Sequence, residues 1–201
     1  MINKRIDEIK IELLKMYQKD LMLRDELIKS GDLYLGYHPK MEQLHQENSE
    51  KLEKIIYEIG WPTVEKTGEE ASFAAWVILQ NAISNPTLQR ISLPLLMELA
   101  NQGEIYPSEV AVLFDRICYF ELRPQKYGTQ FDFDEDGNLN PWEIEDVKNV
   151  DVYRQGVGLP PLNETIKRMQ EVAKKTNEMS TKPYKDRINE RKEWAKKVGW
   201  I

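Results

Sequence analysis

Asp115-Arg116 places a carboxylate and a guanidinium side by side in an apolar run, and Arg123, Gln125, Tyr127, Thr129 and Gln130 follow closely. Such residue types suit recognition of a small polar or anionic molecule: amides and hydroxyls fix its orientation, and an arginine holds its charge. In that reading Asp115 is a general base and Arg116 an anion clamp, the two catalytic candidates. Asp20 and Arg24, four apart on the first helical stripe, and Gln80, on a strongly apolar face, join Gln125, Tyr127, Thr129 and Gln130 as the ligand-binding set. The same groups also suit a satisfied polar network that seats a hairpin on helices, with Asp20 and Arg24 as a boundary ion pair.

A second constellation runs from Asp132 to Glu143. Asp132, Asp134, Asp136, Gly137, Asn138, Asn140 and Glu143 fall on the oxygen-ligand and glycine positions of a calcium loop, with Leu139 at its apolar position. The flanks favour a different reading. The preceding residues read as strand and Pro141 falls inside the loop, so a solvated acidic hairpin tip accounts for the same letters, with calcium binding as the alternative. His38 and His45 lack the compact spacing of a zinc site. Phosphate-loop, dinucleotide and nucleophile-elbow motifs are absent. The single cysteine, Cys118, reads as a buried, inert thiol. Neither a metal nor a cofactor is implied.

The elements that must position these groups are mostly helices. Apolar spacing predicts helices over about Lys4–Lys29 and Met41–Glu58, then one opened by a Thr67/Glu70 capping box. Asn85-Pro86 opens a fourth helix, kinked at Pro94, and Pro107 or Ser108 a fifth. Tyr127–Phe133 reads as a strand, Asp136-Gly137 as a hairpin turn, and Leu139–Ile144 as the partner strand. Shorter helices follow at Val147–Gln155 and Leu162–Lys175, then a linker over Lys175–Pro183 and a last helix over Asp186–Lys197. Tyr184, Trp194 and Trp200 are too large and numerous for a free tail, and should dock on the body or on a second copy. The expected fold is mainly α, a multi-helix bundle with a small β-hairpin near residues 126–145. The expected division is a helical domain over 1–175 and a C-terminal linker and docking helix over 176–201.

With 41% hydrophobic and 31% charged residues, the chain reads as a folded, well-solvated protein, and its net charge of -6 gives no general attraction to nucleic acid or anionic membrane. No window approaches the roughly 20 apolar residues of a membrane span, so a cytoplasmic location is expected.

The chain resembles a bacterial domain family of unknown function. The resemblance rests on Asp20 with Arg24, Gly60-Trp61-Pro62, Ala75-Trp76 with Leu79-Gln80, Pro86 with Gln89, and Asp115-Arg116. It continues through Gln125 with Tyr127-Gly128-Thr129-Gln130, Ile144-Glu145-Asp146, Val150-Asp151 and Gly158-Leu159-Pro160-Pro161, and spans about Glu12 to Met169. It implies one architectural unit and no reaction. In that family a histidine commonly follows the glutamine at Gln80, where this chain has Asn81. The function expected is binding or transformation of a small polar or anionic ligand, as a metal-independent hydrolase or transferase if it is an enzyme. The rival is a protein-interaction module, or a homo-oligomer, that uses exposed aromatics of the C-terminal tail.

Overall fold

In the computed structural model, residues 2–33, 36–176 and 182–201 are described. They form a mainly helical, multi-helix bundle with a small two-stranded hairpin, divided into two compact units, Met1–Ile105 and Tyr106–Ile201. Among the described residues, no helix is long and apolar enough to cross a membrane. Most of the expected linker, 177–181, lies outside the described residues.

In the first unit, α1 (Ile2–Ser30) buries Ile9, Leu13, Met16, Asp20 and Leu27 on one stripe and packs on α2 (Pro39–Ile59), α3 (Val64–Thr67) and α4 (Glu69–Asn81). His38 caps α2, its Nδ1 accepting the Lys40 N–H at 3.2 Å, and Pro39 occupies the first turn. The helix ends at Gly60, and Trp61, almost wholly buried, enters the core behind it. The expected capping box does not form. Thr67 instead closes α3, donating its hydroxyl to Pro62 O and Thr63 O, and α4 starts only after Gly68, whose positive φ breaks the run. Asn85 caps α5 (Pro86–Asn101) as the sequence predicts, Oδ1 accepting from Leu88 N–H at 3.1 Å. This helix runs on through Pro94, which is exposed, while Leu88, Leu96 and Leu99 face inward.

The second unit begins with α6 (Pro107–Phe120). Its hairpin pairs β1 (Phe131–Phe133) with β2 (Leu139–Pro141), antiparallel, with Asp132 opposite Asn140. Both strands are shorter than expected, and β1 starts late because the N–H groups of Tyr127, Thr129 and Gln130 go to side chains instead of a partner strand. The turn spans Asp134–Gly137, closed by Gly137 N–H to Asp134 O, with Gly137 left-handed at φ 79°. Asp136-Gly137 therefore lies in the turn as the sequence predicts, Asp136 as its second central residue and Gly137 as the residue that closes it. The helices α7 (Val150–Gly156) and α8 (Leu162–Lys175) follow, and α8 packs on β2. Finally α9 (Tyr184–Val198) leads to Trp200, which is buried and stacks on Phe120 at 5.4 Å, with Trp194 beside the same ring at 5.5 Å. Two of the three tail aromatics, Trp194 and Trp200, are thus packed inside this unit against a phenylalanine, while Tyr184 stays half-exposed.

Candidate functional site

Asp115 was the expected base. It is fully buried on α6, and its carboxylate is saturated. Oδ1 accepts the N–H groups of Lys126 (2.9 Å) and Tyr127 (3.1 Å). Oδ2 accepts from Tyr127 N–H (3.2 Å), Thr129 N–H (2.9 Å) and the Thr129 hydroxyl (3.0 Å). Burial pushes the carboxyl above its usual range, and the donors from Tyr127, Thr129 and Lys126 pull it back. With that many N–H and O–H groups aimed at it, the anion is the form the loop is built around. Its geometry is that of a staple: the Tyr-Gly-Thr-Gln segment wraps around one carboxylate.

Gln125 serves the same loop. It is fully buried, donates Nε2 to Gln130 O (2.9 Å) and Trp142 O (2.8 Å), and accepts Gln130 N–H on Oε1 (2.9 Å). The Gln130 amide donates to Thr129 Oγ1 at 3.1 Å, and half-buried Tyr127 meets Phe114 edge-on at 6.2 Å. Behind the loop lies Arg154, a residue the sequence did not single out. Only 1% exposed, it donates to Pro160 O, Tyr127 O and Thr165 Oγ1 at 2.7, 2.5 and 2.6 Å. Arg116 is half-buried; burial lowers its guanidinium, which still stays charged at neutral pH. Burial likewise pushes the Cys118 thiol up to about 11, so it is protonated and unreactive at neutral pH.

In the first unit Asp20 is buried as expected, but its partner differs. Arg24 points to solvent, and the carboxylate meets His45, Oδ2 to Nε2 at 2.7 Å. The other ring nitrogen, Nδ1, meets the Tyr37 hydroxyl at 2.8 Å, and Asn81 Nδ2 donates to Asp20 Oδ2 at 3.3 Å. A carboxylate only accepts, so in a neutral ring Nε2 carries the proton and Nδ1 accepts the phenol O–H. The resulting chain runs inward from half-buried Tyr37 through His45 (7% exposed) to Asp20 (5% exposed). Burial raises the Tyr37 phenol well above its ordinary value, so it stays a donor. Ser84 and Glu42 lie alongside, Oγ to Oε1 at 3.4 Å. Gln80, also buried, lends its backbone oxygen to Gln89 Nε2 at 3.3 Å.

Sequence reading missed His45 because it weighed the two histidines only as zinc ligands. The signal was present: Met41, His45, Asn48, Ser49 and Leu52 form one buried stripe of α2, with the imidazole in its centre.

The acidic segment does not fold as a calcium loop. Asp132 is bound by Arg187 and by Arg191 (3.0 Å), both on α9. The Asp134 carboxylate is consumed by its own turn, accepting Asp136 N–H (3.0 Å), Asn138 N–H (2.8 Å) and Asn140 Nδ2 (2.7 Å). Among the described residues, no group of three or more His, Cys, Asp or Glu side chains could hold a metal ion.

These features define a helical protein with a carboxylate-stapled hairpin loop and, in its other unit, a buried tyrosine–histidine–aspartate chain. The chain belongs to a family of unknown function, DUF6624, whose model matches residues 7–176. No curated protein and no solved structure matches it. The helix α9, with Arg187, Arg191 and Trp194, lies beyond the matched span.

Proposed function

We propose that the protein binds and transforms a small polar ligand, and that Tyr37, His45 and Asp20 handle the proton. What supports this is the linear chain of two short hydrogen bonds, 2.8 Å and 2.7 Å, ending on a buried carboxylate. The arrangement follows the general logic of an activated hydroxyl: a base holds the hydroxyl proton and a third group orients the base. The Tyr37 phenol, which burial keeps protonated, passes its proton to His45 Nδ1 as its oxygen takes one from the bound ligand, so the negative charge ends on the ligand. The imidazolium so formed is stabilised by Asp20. Asn81 sits on the same carboxylate, at the position where the resembled family commonly carries a histidine, so two positions converge on Asp20. Asp115 is reassigned in this proposal from base to staple, since its oxygens have no lone pair left for a substrate. The reaction class remains a metal-independent hydrolase or transferase, in a bacterial cytoplasm.

A thermal-shift panel tests the reading: nucleotides, sugar phosphates, amino acids and dicarboxylates against the wild type, Tyr37→Phe and His45→Gln. The proposal expects at least one class to raise the wild-type Tm by about 2 °C or more at saturating concentration, with the shift lost in both variants. A panel without any shift, or a shift unchanged in both variants, overturns it.

A further inference from the structure

A groove of about 380 Å³ runs along the outer side of α1, with Lys51 of α2 on its far rim. Its α1 wall carries Glu8, Glu12, Lys15 and Lys19, at steps of four, three and four residues, which is one stripe of a helix. Along that stripe the charges are segregated, two acids and then two bases. We propose that this groove is a twofold interface, in which α1 of a second copy of the chain lies antiparallel along α1.

Three observations carry the assignment. The first is the order of the charges. Glu8 and Glu12 are like charges four apart, and so are Lys15 and Lys19, each arrangement unfavourable on an isolated helix. The helix dipole does not require it. Its effect fades within a turn of each end, and α1 begins at Ile2 with no acid in its first turn. Nor does the fold neutralise these groups. Among the described residues, Glu12, Lys15 and Lys19 enter no salt bridge. Glu8 meets Arg5 at 3.5 Å, but that guanidinium is already held by both oxygens of Glu58 at 2.7 Å.

The second observation is symmetry. Glu8 and Lys19 lie equally far from the peptide bond between Leu13 and Leu14, and so do Glu12 and Lys15. A copy turned about a twofold axis level with that bond therefore sets Glu8 opposite Lys19 and Glu12 opposite Lys15, each pair occurring twice. A parallel copy would set acid on acid and base on base. From Glu8 to Lys19 the contact is about 16 Å long.

The third observation is the apolar surface beside the stripe. Ile11 is 53% exposed and Met22 73%. In the same register Ile11 falls opposite Met16 of the second copy, which lines the groove, and Met22 falls opposite the aliphatic stem of its Arg5. An interface made mostly of charge, with a thin apolar component, gives a weak and salt-sensitive dimer. The proposal is independent of the proton chain around His45.

The test is sedimentation equilibrium of the full chain, wild type and two charge-reversed variants. One variant is Glu8→Lys with Glu12→Lys, whose stripe is wholly basic. The other is Lys15→Glu with Lys19→Glu, whose stripe is wholly acidic. Expected is a wild-type dimer with a Kd at or below about 100 µM at low salt, weakened about tenfold or more by 0.5 M salt and in each variant alone. An equimolar mixture of the two variants should dimerise at least as tightly as the wild type, because every pair is then restored. That rescue needs both variants folded, so misfolding cannot imitate it. A wild-type Kd above that value, an affinity unchanged in either variant, or a mixture that stays monomeric would overturn the proposal.

Discussion

Thr129 reaches Asp115 twice, through its backbone N–H at 2.9 Å and its hydroxyl at 3.0 Å, both on Oδ2. The aspartate is therefore the partner that lets a tight polar loop be buried, and the Tyr-Gly-Thr-Gln segment is shaped by what one carboxylate can accept.

Asp115→Asn makes that role measurable. An amide in place of the carboxylate turns one oxygen into a donor that faces N–H groups, and leaves buried donors unpaired. Each costs about 1–3 kcal/mol, so a total loss of about 3–5 kcal/mol is expected from urea unfolding of the full chain. A loss below about 1 kcal/mol would contradict the staple.

Gly128 turns the loop at φ 66°, and an added Cβ would lie 2.8 Å from Leu162 Cδ1 and 3.0 Å from Ile144 Cδ1. Gly128→Ala therefore combines left-handed strain of about 1–2 kcal/mol with displacement of two packed side chains. A destabilisation of about 2–4 kcal/mol by chemical denaturation is the expected result.

Trp200 is 2% exposed and stacks on Phe120 with an interplanar angle of 22°. Removing a buried indole typically costs about 3–5 kcal/mol. Trp200→Ala should therefore destabilise the protein by an amount in that range if α9 belongs to the folding unit of Tyr106–Ile201. Unfolding at the wild-type midpoint would instead show that the last helix is dispensable.

Glu109, half-buried in the first turn of α6, has its carboxyl pushed up to about 7 by burial. The folded state keeps a proton that the unfolded chain releases near 4.5, so stability is full below that pH and declines as pH rises towards 7. Glu109→Gln should flatten this window and exceed the wild type at alkaline pH by about 1 kcal/mol, after allowance for solvent screening and the favourable helix N-terminus. Urea midpoints at both ends of the window decide it; a pH dependence unchanged in the variant would assign the effect elsewhere.

Much of this architecture is legible in the sequence, and the failures have physical causes. The helices around Leu13, Leu52 and Leu88 follow apolar periodicity, and Asn85-Pro86 opens α5 as residue chemistry requires. Tyr127–Phe133 reads as strand because its rings and β-formers alternate, but Asp115 and Gln125 capture the N–H groups a ladder would need. Spacing along one helix offers Arg24 to Asp20, and only tertiary packing brings His45 from α2 instead. The calcium-like spacing is real as a string of letters. Its oxygens are diverted by a local turn and by two arginines more than fifty residues away, which no local motif can encode.

The orientation of the proton chain is tested most directly by long-range proton–nitrogen NMR of the His45 ring in histidine-labelled protein, with His38→Gln to assign the two histidines. The account predicts a neutral ring protonated on Nε2 towards Asp20, with an Nδ1 resonance that moves when Tyr37→Phe removes the phenol. A ring protonated on Nδ1, or an Nδ1 signal indifferent to Tyr37, would contradict it.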